Sequence, residues 1–151
     1  MTSRYLISSF LLPFLGTLSA SLPVYGSLSS SLTVEIDGVS DRQGQICLSL
    51  FKSSRGFPNS GDDAVDKKCL KITETPPKIT FNNLPPNTYA VAVFWDDNSD
   101  GELNRNFLGI PREKFGFSSN PMVRTGPPKF SDSAILVTGR NLSISIKLQS
   151  L

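Results

Sequence analysis

The two-residue period of the apolar side chains limits this chain's fold more than any other feature. Leu32, Val34 and Ile36 alternate with Thr33, Glu35 and Asp37. Ile46, Leu48 and Leu50 alternate with Cys47, Ser49 and Phe51, and Leu142, Ile144, Ile146 and Leu148 with Ser143, Ser145, Lys147 and Gln149. Successive side chains of an extended strand point to opposite faces, so this spacing turns one row inward and the other outward. Further strands are expected near 68–74, 78–83, 88–95 and 133–138. Turn formers separate the runs: Asp37-Gly38, Gln43-Gly44, Thr75-Pro76-Pro77, Pro85-Pro86-Asn87 and Gly139-Arg140-Asn141. No long segment carries a helical period. The expected fold is all-β: a single antiparallel β-sandwich of about seven strands, immunoglobulin-like or prealbumin-like.

Segment 88–95 is apolar on both faces, with Tyr89, Val91, Val93 and Trp95 on one and Ala90, Ala92 and Phe94 on the other. Such a strand belongs at the centre of a sheet, covered on both sides. Its second cover is expected from the long loop that follows, 96–132. That loop carries Phe107, Leu108, Ile110, Phe115, Phe117 and Phe130, together with Pro111, Pro121, Pro127 and Pro128. Those apolar groups argue for an ordered flap, with room for a short helical turn, and against a disordered linker.

The first residues read as a leader. Arg4 is the only charge before Glu35, and it precedes an apolar run from Tyr5 to Leu15 and then small residues. This is the pattern of a secretory signal peptide, 1–26, with cleavage expected after Gly26 and Val24 three residues from the cut. The run is short and interrupted for a membrane span, so no transmembrane segment is expected in the processed chain. The remainder, 27–151, has the size of one domain. The expected location is periplasmic or extracellular, and the expected state is a monomer. Lys and Arg number 15 against 13 acids, and losing Arg4 with the leader leaves 14 against 13. That balance gives nucleic acid no footing as a partner. Cys47 and Cys69 are the only cysteines; in an oxidising compartment they are expected to pair, with two buried thiols as the alternative.

One stretch has the look of a chemical site. In Asp96-Asp97-Asn98-Ser99-Asp100-Gly101-Glu102-Leu103-Asn104, oxygen-bearing side chains recur at every second position and a glycine follows the third. Calcium takes hard oxygen ligands from loops so spaced, through side chains, a sharp glycine turn and a backbone carbonyl. Asp96, Asn98, Asp100, Glu102 and Asn104 are therefore candidate Ca2+ ligands. The pattern is incomplete, because Phe107 stands where a bidentate Glu would close the shell. Asp97, Glu113 or Asp132 is left to supply the missing oxygen. An ion-free turn, held by side-chain bonds to the backbone, fits the same residues.

Beyond the loop the flap is basic and aromatic, and Arg105, Phe107, Arg112, Phe115, Phe117, Arg124 and Phe130 form a candidate binding surface. The chain contains no His, which removes the commonest general base and any Ser–His or Cys–His pair. Catalysis by paired carboxylates of the acidic loop is the remaining enzymatic route.

The block Leu84-Pro85-Pro86-Asn87-Thr88-Tyr89-Ala90-Val91-Ala92-Val93-Phe94, running on through Asp96–Leu103, resembles a family of uncharacterised exported bacterial proteins classed as a domain of unknown function. So do Asn106-Phe107-Leu108-Gly109-Ile110-Pro111, Phe115-Gly116-Phe117-Ser118 and Gly126-Pro127-Pro128-Lys129-Phe130. The turn before Tyr89 is also similar to one in transthyretin-like and collagen-binding-type sandwiches. The resemblance implies export and a β-sandwich, and carries no activity. Two positions depart from the family pattern, Trp95 in place of His and Asn87 in place of Gly. Three roles follow as expectations: a non-catalytic binding or structural module for an unknown ligand, a carboxylate-dependent hydrolase of an envelope or extracellular polymer, or an accessory subunit docking to an envelope protein.

Overall fold

A computed structural model describes residues 29–151. The expected leader and its cleavage site lie outside the described residues. Each alternating run is a strand: β1 (Ser30–Asp37), β2 (Gln45–Phe51), β3 (Asp66–Lys71), β4 (Lys78–Leu84), β5 (Asn87–Asp96), β7 (Ile135–Val137) and β8 (Leu142–Lys147). They form two sheets that do not close into a barrel. One has the order β4-β1-β8, and the other β3-β2-β5, with β7 also pairing to β5.

Two expectations need correction. The long segment 96–132 is not without strands: Phe115–Phe117 is β6, paired antiparallel with Ala92–Phe94 of β5, and a helical turn α1 follows at Phe130–Ser133. The strand is short and carries Gly116 at its centre, so alternation does not reveal it. The glycine is there because β6 runs hard against β8. A Cβ at Gly116 would lie 2.7 Å from Ile146 Cγ2 and 3.0 Å from the Lys147 carbonyl oxygen. The sheets are also not purely antiparallel, because β1 and β8 run parallel from Leu32↔Leu142 to Asp37↔Lys147. Strand β7 pairs in the other sheet, so the chain crosses between sheets before β8 and enters alongside β1 in β1's own direction.

The inward rows meet in one core. Leu32, Val34 and Ile36 of β1, Phe81 of β4 and Ile146 of β8 pack with Leu48 and Leu50 of β2 and Val91 and Val93 of β5, all buried. The expected central place of β5 is its place, between β2 and β6. Its outer face is small, with Ala90 buried and Ala92 half-buried. Register sets Phe51 beside Ala90, Phe117 beside Ala92 and Phe115 beside Phe94. Phe57, from the loop after β2, seals this second layer. Its ring packs edge-on to Phe51 at 5.3 Å, to Phe117 at 6.0 Å and to Phe130 at 5.9 Å. The flap therefore supplies only part of the cover, and the sequence reading did not single out Phe57.

Cys47 and Cys69 are directly opposed across β2 and β3, with Cα atoms 4.1 Å apart, and are joined as a disulfide. Strand β3 forms one edge of its sheet and carries Lys67, Lys68 and Lys71, which discourage edge pairing with another chain. Asn87 does not take a left-handed conformation; Asn83 does, at φ 57°.

Candidate functional site

β5 ends on Asp96, whose side chain is fully buried. A carboxylate without water must find donors, and this one finds three. Oδ2 accepts from the Gly101 backbone N–H at 2.7 Å and from Gln45 Nε2 at 2.7 Å. Oδ1 accepts from the Asp100 N–H at 3.2 Å. Asp96 thus ties the turn that follows it to β2. The turn folds back through left-handed residues at Ser99 (φ 60°) and Gly101 (φ 80°).

Three of the other four candidate ligands, Asn98, Asp100 and Asn104, converge. Asn98 Nδ2 lies 2.8 Å from Asp100 Oδ2 and 3.0 Å from Asn104 Oδ1, while Asn104 Nδ2 lies 3.0 Å from the same Asp100 oxygen. Asp100 Oδ1 accepts from the Glu102 N–H at 2.8 Å. The Asn104 amide, the Glu102 N–H and the Asn98 amide together hold the Asp100 carboxyl below its usual pKa. Glu102 joins the turn through its backbone, and its side chain is exposed. Among the described residues no three His, Cys, Asp or Glu side chains converge on one point.

Glu113 reaches the loop from the far side and is buried. Its two oxygens are spent on the ends of the loop: Oε2 accepts from the Asn104 N–H at 2.9 Å, Oε1 from the Asp97 N–H at 3.3 Å. Burial pushes its pKa up against the lowering effect of those two bonds, and the charges of Asp96 and Asp97 push the same way. Asp132 lies elsewhere, accepting from the Lys129 N–H at the start of α1. No arginine relieves the acids: the ion pairs among the described residues are Lys67–Asp62, Lys68–Asp66 and Lys78–Glu35.

From Asn104 the chain makes a hairpin. Arg105 bridges to Pro111, and the Arg112 N–H donates to the Asn104 carbonyl at 2.9 Å. At the tip the Asn106 N–H donates to the Ile110 carbonyl, and the Gly109 N–H to the Asn106 carbonyl, both at 2.9 Å. The Asn106 side-chain oxygen accepts from the Leu108 and Ile110 N–H groups at 2.9 and 3.0 Å. Phe107, at 95% exposure, and Leu108, at 68%, stand in solvent. Between hairpin and acidic turn lies a shallow cleft of about 430 Å3, lined by Asp97, Asn98, Asn104, Arg105, Arg112 and Glu113.

The seven residues expected to share a binding surface are dispersed. Arg105, Phe107 and Arg112 belong to the hairpin. Phe115 and Phe117 are buried in β6, and Phe130 is half-buried against Phe57, because they are the second hydrophobic layer. Arg124 is exposed and contacts Met122. Sequence reasoning missed Gln45 and Asn106, which carry no signal beyond being amides in turns or strand ends.

A family model described as an uncharacterized protein conserved in bacteria (DUF2141) matches residues 34–145. The chain belongs to this family. The DUF2141 match runs from the middle of β1 through most of β8, so it takes in the acidic turn, the hairpin and the aromatic layer together. No curated protein matches the chain.

Proposed function

We propose that this DUF2141 protein is an exported, non-catalytic β-sandwich module, immunoglobulin-like or prealbumin-like in type. On this reading the acidic turn and its hairpin are its working surface, and a weak calcium ion in the turn fixes that surface. The observation that carries the reading is where the carboxylates go. Asp96, Asp100 and Glu113 each accept backbone N–H groups of the loop itself, so they act as pins for the start of the hairpin. A carboxylate hydrolase needs two carboxyl groups facing an open cleft. Asp97 and Glu113 both line the cleft, but each Glu113 oxygen accepts a backbone N–H and so ties that carboxyl to the loop, while Asp97 accepts none.

The turn fits calcium in part. Asn98 and Asn104 bring amide groups to within 3.0 Å of Asp100 Oδ2, and a half-turn of each amide exchanges its nitrogen for its oxygen in nearly the same place. Asp96 retains one free lone pair on Oδ1 after its three bonds. Two carboxylates, two amides and a backbone carbonyl make a thin shell for an ion that takes 6–8 oxygens, so water completes it and the affinity falls at roughly 10⁻⁵–10⁻³ M. The test is thermal melting of the processed chain in EDTA and in 10 mM calcium. A hundredfold excess over the dissociation constant stabilises by about 2.7 kcal/mol. An unchanged melting temperature rules the ion out, and Asp96→Ala with Asp100→Ala abolishes any shift. N-terminal sequencing of exported protein, expected to begin at Ser27, tests the leader. Capture of an envelope protein that depends on the hairpin tests the module as an accessory subunit.

A further inference from the structure

We infer that the hairpin tip Phe107–Ile110 is a membrane-docking spike that seats its apolar side chains in a bilayer surface bearing anionic phospholipid headgroups. The inference deepens the reading of the hairpin as working surface and rests on it. Three observations carry it. The first is shape and exposure. Phe107 and Leu108 are the outermost apolar groups of a convex turn, with Ile110 beside them at 37% exposure. A Cβ built on Gly109 meets nothing within 4 Å, so the tip stands clear of the domain. A convex apolar tip suits a yielding surface that closes around it, while a groove would suit a segment of another chain.

The second is polar satisfaction inside the tip. A backbone N–H carried into an apolar environment needs a partner from its own segment, because water is left behind. Here the N–H groups of Leu108, Gly109 and Ile110 all donate within the turn, two to the Asn106 side chain and one to its carbonyl. The Gly109 carbonyl accepts from Arg105 Nη1 at 3.0 Å. The Asn106 side-chain oxygen, N–H and carbonyl are all spent on this turn. Such side-chain-to-backbone bonds are ordinary in turns, and here they leave these three donors satisfied when water is withdrawn.

The third is charge. Arg105 and Arg112 flank the base of the hairpin, the Arg105 guanidinium being held by the Gly109 carbonyl at 3.0 Å and by Asn59 Oδ1 at 3.2 Å. The Arg112 backbone N–H is used by Asn104, but its exposed guanidinium has no hydrogen-bond or ion-pair partner among the described residues and is free for phosphate oxygens at headgroup level. On this inference Phe107 and Leu108, which lie between the two arginines in the chain, enter the acyl boundary. The exposed acids Asp97, Asp100 and Glu102 on the neighbouring turn oppose an anionic surface, so the docking is weak and salt-sensitive.

The test is vesicle flotation of the processed chain in EDTA, which keeps the result independent of the ion site. Vesicles of phosphatidylethanolamine with phosphatidylglycerol are compared with vesicles of phosphatidylcholine alone. The wild type floats with the anionic vesicles. Phe107→Ser with Leu108→Ser weakens binding by at least about tenfold, from the apolar area no longer buried, with no change in melting temperature. Arg112→Glu costs roughly fivefold or more and erases the preference for phosphatidylglycerol. In Phe107→Trp, the emission shifts to the blue on adding anionic vesicles. Absence of flotation, flotation unaltered by the double serine variant, or equal binding to phosphatidylcholine each overturns the inference. Hairpin-dependent capture of an envelope protein in the absence of vesicle binding overturns the lipid alone and leaves the module standing. Loss of both overturns the module as well.

Discussion

Replacing Asp96 by Ala destabilises the domain even when no calcium is present. The magnitude follows from its three acceptor bonds. Gly101 N–H and Gln45 Nε2 lose their only partner, each at 2.7 Å from a fully buried carboxylate. A hydrogen bond to a charged group contributes about 1.5–3 kcal/mol, and water recovers part of it at exposed Gly101 and half-buried Gln45. The Asp100 N–H retains Asn98 Oδ1, also at 3.2 Å, and adds little. Relief of the carboxylate's own desolvation works in the opposite direction. The expected net loss is about 2–4 kcal/mol, roughly 10 °C in melting temperature for a domain of this size. Urea unfolding in EDTA, followed by far-UV circular dichroism and by the fluorescence of the neighbouring Trp95, measures it. Asp97→Ala is the control. The Asp97 side chain is exposed and accepts no bond, so its loss stays within about 0.5 kcal/mol. If Asp96→Ala matches the wild type in EDTA, or if Asp97→Ala costs as much, the pinning argument fails.

Three further outcomes are expected. Cys47→Ser with Cys69→Ser lowers the urea midpoint by about 3 kcal/mol of stability, the chain-entropy value for the 22-residue separation; an unaltered midpoint refutes it. Phe57→Ala costs about 3 kcal/mol because three edge-on ring contacts are lost, while Phe107→Ala changes stability by less than about 0.5 kcal/mol; comparable losses would refute the two-layer packing. Two carboxyls give opposite pH dependences. Glu113's pKa is raised above its ordinary 4.5, so its contribution is full below that value and is lost as pH rises through the raised pKa. Asp100's is lowered below 3.8, so its contribution is present above that value and is lost as pH falls through the depressed pKa. Melting curves from pH 2 to 7 on Glu113→Gln and Asp100→Asn should each flatten one limb; if neither does, the assignment is wrong.

The strands were legible because burial of one face imposes a period that survives in the sequence, as in Leu32-Thr33-Val34-Glu35-Ile36. The central place of β5 was legible for the same reason, since both of its faces are apolar. What escaped depends on contacts between segments distant in the chain. Gly116 reads locally as a breaker, yet it marks a strand pressed onto Ile146. Gly44 reads as an ordinary turn, yet a Cβ there would fall onto the Asp96 carbonyl oxygen, so the glycine lets the β2 end approach the acidic turn. Phe57 gives no periodic signal because it covers the sheet from a loop.

The acidic turn shows the same division more sharply. Its spacing of Asp and Asn was plain in the sequence and pointed to calcium, because ion ligation and Asx-turn hydrogen bonding call for the same residues at the same intervals. The two chemistries differ in what surrounds the turn. A strong ion site would leave carboxylate oxygens unspent and facing one another. Here Asp96 is sealed under Gln45 and Gly101, and Glu113 clasps both ends of the loop through backbone N–H groups. Buried carboxylates without a cation partner are costly, and here backbone N–H groups of the loop offset that cost. What they fix is the exit of the chain from β5 into a hairpin whose most exposed large apolar residues are Phe107 and Leu108. The acids and the apolar tip therefore belong to one segment: Asp96 and Glu113 anchor its start in the domain, and its tip leaves Phe107 and Leu108 exposed.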